Sequence, residues 1–165
     1  MKALVLGSGG REQAIAWKVA KSPLVSEVII APGNAGAFPK TRNADLDIND
    51  ADAVADFLTK ESVELLVVGP EQPLVGGLVD QLLARPELSS LHIVGPTQEA
   101  AQMEGSKDFA KAFMQRHGIP TAKYCSFTAD EREQAMDYLR NEEKAPYVLK
   151  ADGLAAGKGV LICQT

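Results

Sequence analysis

Cysteine and histidine are scarce in this 165-residue chain, which has two of each. Cys125 and Cys163 lie far apart and fit no metal-ligand spacing, so with no secretory signal they read as free cytosolic thiols. His92 and His117 lack partner spacing and read as structural. No Ser/His/Asp set, Cys/His set or metal cluster is evident, and no metal ligand is expected within residues 1–165. No run approaches the ~20 apolar residues of a membrane span. The opening apolar run is too short, and too soon followed by Arg11 and Glu12, to be a signal peptide. These absences predict a cytoplasmic chain without a membrane partner. Positive charge is also short: 17 Lys and Arg stand against 22 Asp and Glu, a net charge of −5, which argues against a nucleic-acid partner.

What is present is ordinary globular composition, 45% apolar and 24% charged, enough for a sizeable core. Four apolar runs predict strands: Lys2 to Leu6, Val28 to Ile30, Leu65 to Val68 and His92 to Val94. Helical spacing predicts helices over about 11–21, 50–60 and around 78–83. Ser22-Pro23 stops the first, Asn49 or Asp50 caps the second, and Arg85-Pro86 closes the third. Residues 43–49 read as a connection with a brief extended piece. Trp17 and the Phe and Met positions in helices read as core. Strands alternating with helices predict an α/β fold, an open, mostly parallel sheet with helices on both faces. Ligands bind such sheets outside the carboxyl ends of the strands, so the loops at 7–12, 32–36, 69–74 and 95–97 are expected to share one rim.

After Thr97 the pattern changes. Thr97 can cap a helix holding Ala100, Ala101 and Met103, with a restart or continuation at Ser106-Lys107; Gly118 ends it. Thr128 to Glu131 has the form of a capping box and opens a helix to about Arg140. Tyr147 to Lys150 and Val160 to Cys163 read as an antiparallel hairpin. The expected division is a sheet domain over 1–100, a helical connector over 101–121, and a small, unfinished domain over 122–165.

Gly7-Ser8-Gly9-Gly10-Arg11-Glu12 follows the first strand and opens a helix, a place suited to a phosphate or carboxylate. It is not a dinucleotide fingerprint, because Glu12 stands where the third glycine belongs and no acid ends the second strand. Gly153 to Gly159 fails as a Walker loop: three residues rather than four separate Gly153 from Gly157, and Gly159 follows Lys158. A glycine-rich flap with one lysine survives, able to fold its N–H groups over phosphates. Alone, Lys107, Lys150 and Arg11 read as solvated side chains, Glu71 as an exposed turn carboxylate, and Asn34 as a turn residue.

Taken together with Pro32 to Gly36, Gly69 to Leu74, Glu104 to Lys107 and Lys150 to Gly159, the first loop resembles the phosphoribosylamine–glycine ligase (glycinamide ribonucleotide synthetase) family of the ATP-grasp superfamily. Gln13 departs from it, since histidine usually follows Gly-Gly-Arg-Glu there. The resemblance implies that ATP phosphorylates the carboxylate of glycine and that the amine of phosphoribosylamine attacks the glycyl phosphate. It places substrate contacts at Gly9, Gly10, Arg11, Glu12, Asn34, Gly69, Pro70, Glu71, Pro73 and Leu74. ATP contacts would come from Lys107, Lys150, Gly153, Leu154, Ala155, Ala156, Gly157, Lys158 and Gly159. Magnesium or manganese ligands would lie beyond Thr165. The family's enzymes are much longer, so the chain is expected to be an amino-terminal fragment, monomeric and inactive alone. Two alternatives compete, an NAD-binding oxidoreductase domain and a non-catalytic module for a sugar phosphate or nucleotide.

Overall fold

Alternation along the first strand, β1 (Lys2–Gly7), places apolar side chains on both faces of a sheet. Ala3 and Val5 face one cluster, with Val28, Ile30 and Val67; Leu4 and Leu6 face the other, with Ile29, Leu66 and Val68. A strand apolar on both faces needs a cover on each. The first face is covered by α1 (Gly10–Ala20) through Ala16 and Ala20, whose small side chains allow close approach. The second meets α2 (Ala51–Glu61), through Val54, Ala55 and Leu58, and a later helix through Leu78, Val79 and Leu82.

The structure, a computed structural model, describes residues 1–141, 144–155 and 157–164. It divides into two compact units, Met1–Ala101 and Gln102–Thr165. In the first, β1 is flanked by β2 (Glu27–Pro32) and β4 (Leu65–Val68); β3 (Thr41–Asn43) and β5 (His92–Val94) lie outermost. The order is β3-β2-β1-β4-β5 and every neighbouring pair is parallel. The expected α/β sheet with two covered faces is therefore present. The chain runs outward from β1 to β3 on one side and returns to β4 and β5 on the other. The direction thus reverses between β1 and β4, the place where open parallel sheets form a crevice.

Several expectations need correction. The extended piece expected within 43–49 is β3, which lies earlier and pairs with β2 through Val28↔Thr41. Only three residues long and without a buried side chain, it carries no apolar periodicity to read. The expected loop at 69–74 is largely helix: α3 (Glu71–Val75) begins at Glu71, and α4 (Leu78–Leu83) follows. Trp17 is 43% exposed, its ring under the Lys21 ammonium at 3.6 Å, and so is not core. Met103 and Met136 are exposed as well. On the helix of Met103 it is the small Ala101 that is buried, at 5% exposure, while the methionine faces outward.

Local caps behave as their residues dictate. The Asp50 carboxylate accepts from the N–H groups of Asp52 and Ala53, and Ser62 closes α2 with left-handed backbone. The segment after Thr97 forms two helices, α5 (Gln98–Gly105) and α6 (Lys107–Arg116), divided where Ser106 caps α6 by accepting from Phe109 N–H at 3.1 Å. Gly118 ends the second with positive φ. The Thr128–Glu131 capping box is present, ahead of α7 (Arg132–Asn141). β6 (Tyr147–Lys150) and β7 (Val160–Cys163) pair antiparallel.

Candidate functional site

The rim of the first unit is organised around Glu12. Its side chain is 4% exposed, and it occupies the slot left by three glycines. A Cβ at Gly7 would stand 2.4 Å from the Glu12 side chain, one at Gly9 2.9 Å and one at Gly69 2.5 Å. Gly7 also has φ +126°, a backbone that L side chains rarely adopt. The residue that spoils the dinucleotide fingerprint is thus the reason the surrounding glycines are needed. Glu12 accepts from Gly9 N–H at 2.8 Å, reaching back to the residue that caps α1. It also accepts from Arg11 Nε at 2.7 Å. Burial alone would raise the Glu12 pKa; the Arg11 and Gly9 hydrogen bonds and the Arg11 charge outweigh it and hold the carboxyl below the ordinary glutamate range.

Arg11 then crosses the sheet's switch point, donating from Nη1 to Glu71 at 2.8 Å. This bond ties the loop after β1 to the start of α3 after β4. It lowers the Glu71 pKa, and the paired carboxylates raise that of Arg11. The structure therefore brings Arg11, Glu12 and Glu71 together, with Gly9 and Gly69 as backbone against the buried carboxylate. Gly10 faces open space at the first turn of α1.

The other predicted rim residues have local roles. Asn34 Oδ1 accepts from Gly36 N–H at 2.8 Å, and its carbonyl accepts from Asn43 Nδ2 at 2.5 Å. Pro70 precedes the first residue of α3, Pro73 is buried, and Leu74 packs on the core. A concavity of about 150 Å³ is lined by Gln72, Pro73, Gly76, Leu78, Gln81, Asn49 and Ala51. Asn43 was not singled out from the sequence; a polar residue at the end of an unrecognised edge strand carried no signal.

In the second unit the flap is rooted by Asp152, which the motif reading passed over. Its carboxylate accepts from Ser106 Oγ at 2.9 Å and from the N–H groups of Lys107 and Asp108 at 2.6 and 3.3 Å. These are the orphan donors of the first turn of α6, and an anion there is favoured by the helix dipole. Lys107 Nζ donates to Gly153 O at 2.7 Å. Burial would raise the Asp152 pKa, but the Ser106 hydroxyl and the backbone donors outweigh it and lower it. The only available hint was an Asp before a glycine within the flap motif. Beyond the root, Gly153 and Gly157 take positive φ in open space, and Lys158 N–H donates to Ala155 O at 2.8 Å. Gly159 O accepts from Ala151 N–H, and a Cβ at Gly159 would lie 2.8 Å from that of Ala155. Leu154, Lys150 and Lys158 are exposed; Ala156 lies outside the described residues.

Similarity to known proteins follows the same two units. Residues 1–104 match the family described as phosphoribosylglycinamide synthetase, N domain, and residues 105–165 the one described as phosphoribosylglycinamide synthetase, ATP-grasp (A) domain. All of the chain aligns at 54% identity with phosphoribosylamine–glycine ligase of Escherichia coli (strain K12), and likewise with that of Ralstonia nicotianae. The chain spans 37% of the length of each. Among solved structures, the biotin carboxylase domain of Hydrogenobacter thermophilus 2-oxoglutarate carboxylase has a TM-score of 0.70 at 18% identity, over 99% of this chain and 37% of that one. D-alanine–D-alanine ligase from Helicobacter pylori has 0.58 at 17%, over 100% and 59%. At such identities the structural likeness is one of fold.

Proposed function

Since the chain belongs to the phosphoribosylglycinamide synthetase family, we propose that it is the amino-terminal part of a phosphoribosylamine–glycine ligase, an ATP-dependent carbon–nitrogen ligase of purine biosynthesis. The observation that carries this is identity of 54% running through both the rim and the flap. In the proposed reaction the glycine carboxylate takes the terminal phosphoryl group of ATP, releasing ADP. The amine of phosphoribosylamine then attacks the acyl carbon, loses a proton and expels phosphate, giving glycinamide ribonucleotide.

The first unit would hold the sugar phosphate. The first turn of α1 at Gly10 offers N–H groups and the positive end of the helix, and the half-exposed Arg11 guanidinium adds charge there. Glu71 and Glu12 would orient Arg11. Lys107, Lys150 and Lys158, with the flap N–H groups, would bind the phosphates of ATP; positioning and neutralisation carry most of the catalysis in such transfers. Magnesium or manganese would neutralise phosphate charge. Among the described residues no group of three or more Asp, Glu, His or Cys converges to hold a metal ion. Residues 1–100 form the sheet domain on this reading, 101–121 the connector, and 122–165 the start of the ATP-grasp domain. The same reading makes the chain monomeric, cytoplasmic and incapable of turnover alone.

Calorimetric titration of the chain with glycinamide ribonucleotide, with NAD and Mg-ATP in parallel, tests this. Ribonucleotide is expected to bind, and Arg11→Ala to weaken it about tenfold or more, as loss of a charge-assisted hydrogen bond does. Tight NAD binding without ribonucleotide binding would return the rim to an oxidoreductase.

A further inference from the structure

Gln13 is the fourth residue of α1, next to the buried Glu12, and its backbone N–H bonds Gly9 O at 3.1 Å. Its side chain is the anomaly. Both Nε2 and Oε1 are shut off from solvent and neither has a hydrogen-bond partner; among the described residues they are the only such side-chain atoms. The amide rests on the backbone of Gly36, where a Cβ would stand 1.9 Å from Nε2 and 2.3 Å from Cδ. Gly36 N–H is already bound to Asn34 and does not serve it. Beside the amide lies a concavity of about 360 Å³, lined by Gly10, Gln13, Ala14, Trp17 and Phe38.

The other lining residues are apolar or glycine, so packing gives no reason for an amide here; methionine is of similar length and would fill the place. A buried polar pair without partners opposes folding, and where a native chain keeps one the reason is sought in function. The amide needs both an acceptor for its N–H and a donor for its carbonyl. A phosphate, which only accepts when ionised, leaves the carbonyl unpaired, and a cation leaves the N–H unpaired. A hydroxyl answers both, because it donates and accepts.

We propose that Gln13 is a specificity-determining residue of the rim, and that its amide reads the hydroxyl groups of a pentose phosphate when the 33–36 turn withdraws from it. This rests on the sugar-phosphate reading of the rim given above. It assigns recognition of the sugar to Gln13, two residues from the Arg11 that would meet the phosphate.

The experiment is thermal unfolding and calorimetry of the wild type, Gln13→Met and Gln13→His, with ribose 5-phosphate and inorganic phosphate as probes. Gln13→Met is expected to melt higher by about 2–6 °C, because an unpaired buried amide is gone. It should bind ribose 5-phosphate about tenfold more weakly and inorganic phosphate unchanged. Gln13→His, with one donor and one acceptor when neutral, should stay within about threefold of the wild type. A lower melting temperature for Gln13→Met would show that the amide is structurally satisfied and overturn the proposal. So would unchanged ribose 5-phosphate binding by that variant, equal weakening of both probes, or a Gln13→His as weak as Gln13→Met. A wild type that binds inorganic phosphate as tightly as ribose 5-phosphate would remove the sugar's role alone. One that binds neither would remove the rim reading and this proposal together.

Discussion

The two units hold themselves together by different means. The first buries most side chains of β1, β2 and β4, Leu4, Leu6, Ile29, Ile30 and Leu66 among the largest, together with Leu58 of α2 and Leu82 of α4. The second, among its described residues, fully buries no hydrophobic side chain, and its hairpin leaves Leu161 and Ile162 65% and 66% exposed. Yet Leu65 to Val68 and Val160 to Cys163 look alike as sequences, short apolar runs beside glycine. The difference lies in the number of layers. Five parallel strands with a helix on each face can enclose a run from both sides, whereas a lone two-stranded hairpin has no second layer and is marginal in water. The second unit also carries polar ties, with Asp152 on the first turn of α6 and Lys107 on the Gly153 carbonyl.

Truncating one apolar side chain in each unit gives the widest separation. Leu66→Ala is expected to lower stability by about 2–5 kcal/mol, and Leu161→Ala to stay within about 0.5 kcal/mol, in urea unfolding of the chain. Equal losses would mean that the hairpin is covered and that the comparison fails. Smaller in size but confined to the second unit is Asp152→Ala. Removing that carboxylate should cost about 1 kcal/mol, as loss of a helix cap does. Amide exchange should quicken at Lys107, Asp108 and Gly153 while the β1–β4 ladder keeps its protection. Exchange unchanged in the flap would show that Asp152 does not anchor it.

The smallest effect is that of acid. The pKa values of Glu12, Glu71 and Asp152 are all lowered in the folded chain. Such groups stabilise the fold fully above their unfolded values of about 4, and the contribution is lost as pH falls through the depressed folded values. Between pH 5 and pH 2, followed by amide exchange, the Asp152 tie should open while the sheet of the first unit persists, since its apolar core does not titrate. Loss of the sheet before the flap root would reverse the ranking of the two units.

Residues close in sequence account for most of what could be read without coordinates. Asp50 caps the helix it precedes, Thr128 and Glu131 form a box three residues apart, Gly118 ends a helix, and the hairpin strands fall at Tyr147–Lys150 and Val160–Cys163. Each depends on bonds within a few residues or on a run of one side-chain type, so the local pattern suffices. The resemblance likewise lay in contiguous motifs. Packing between distant segments settled the rest. Glu12 is buried because Gly7, Gly9 and Gly69 meet around it, and Gly69 arrives only when β4 lies beside β1. Arg11 finds Glu71 across 60 residues, and Asp152 finds Lys107 across 45. The Gln13 side-chain amide, which has no hydrogen-bond partner, lies against Gly36, 23 positions on in the chain. None of these pairings has a spacing to read: strand order in the sheet decides those of the first unit, and the docking of the flap root on the first turn of α6 decides that of Asp152.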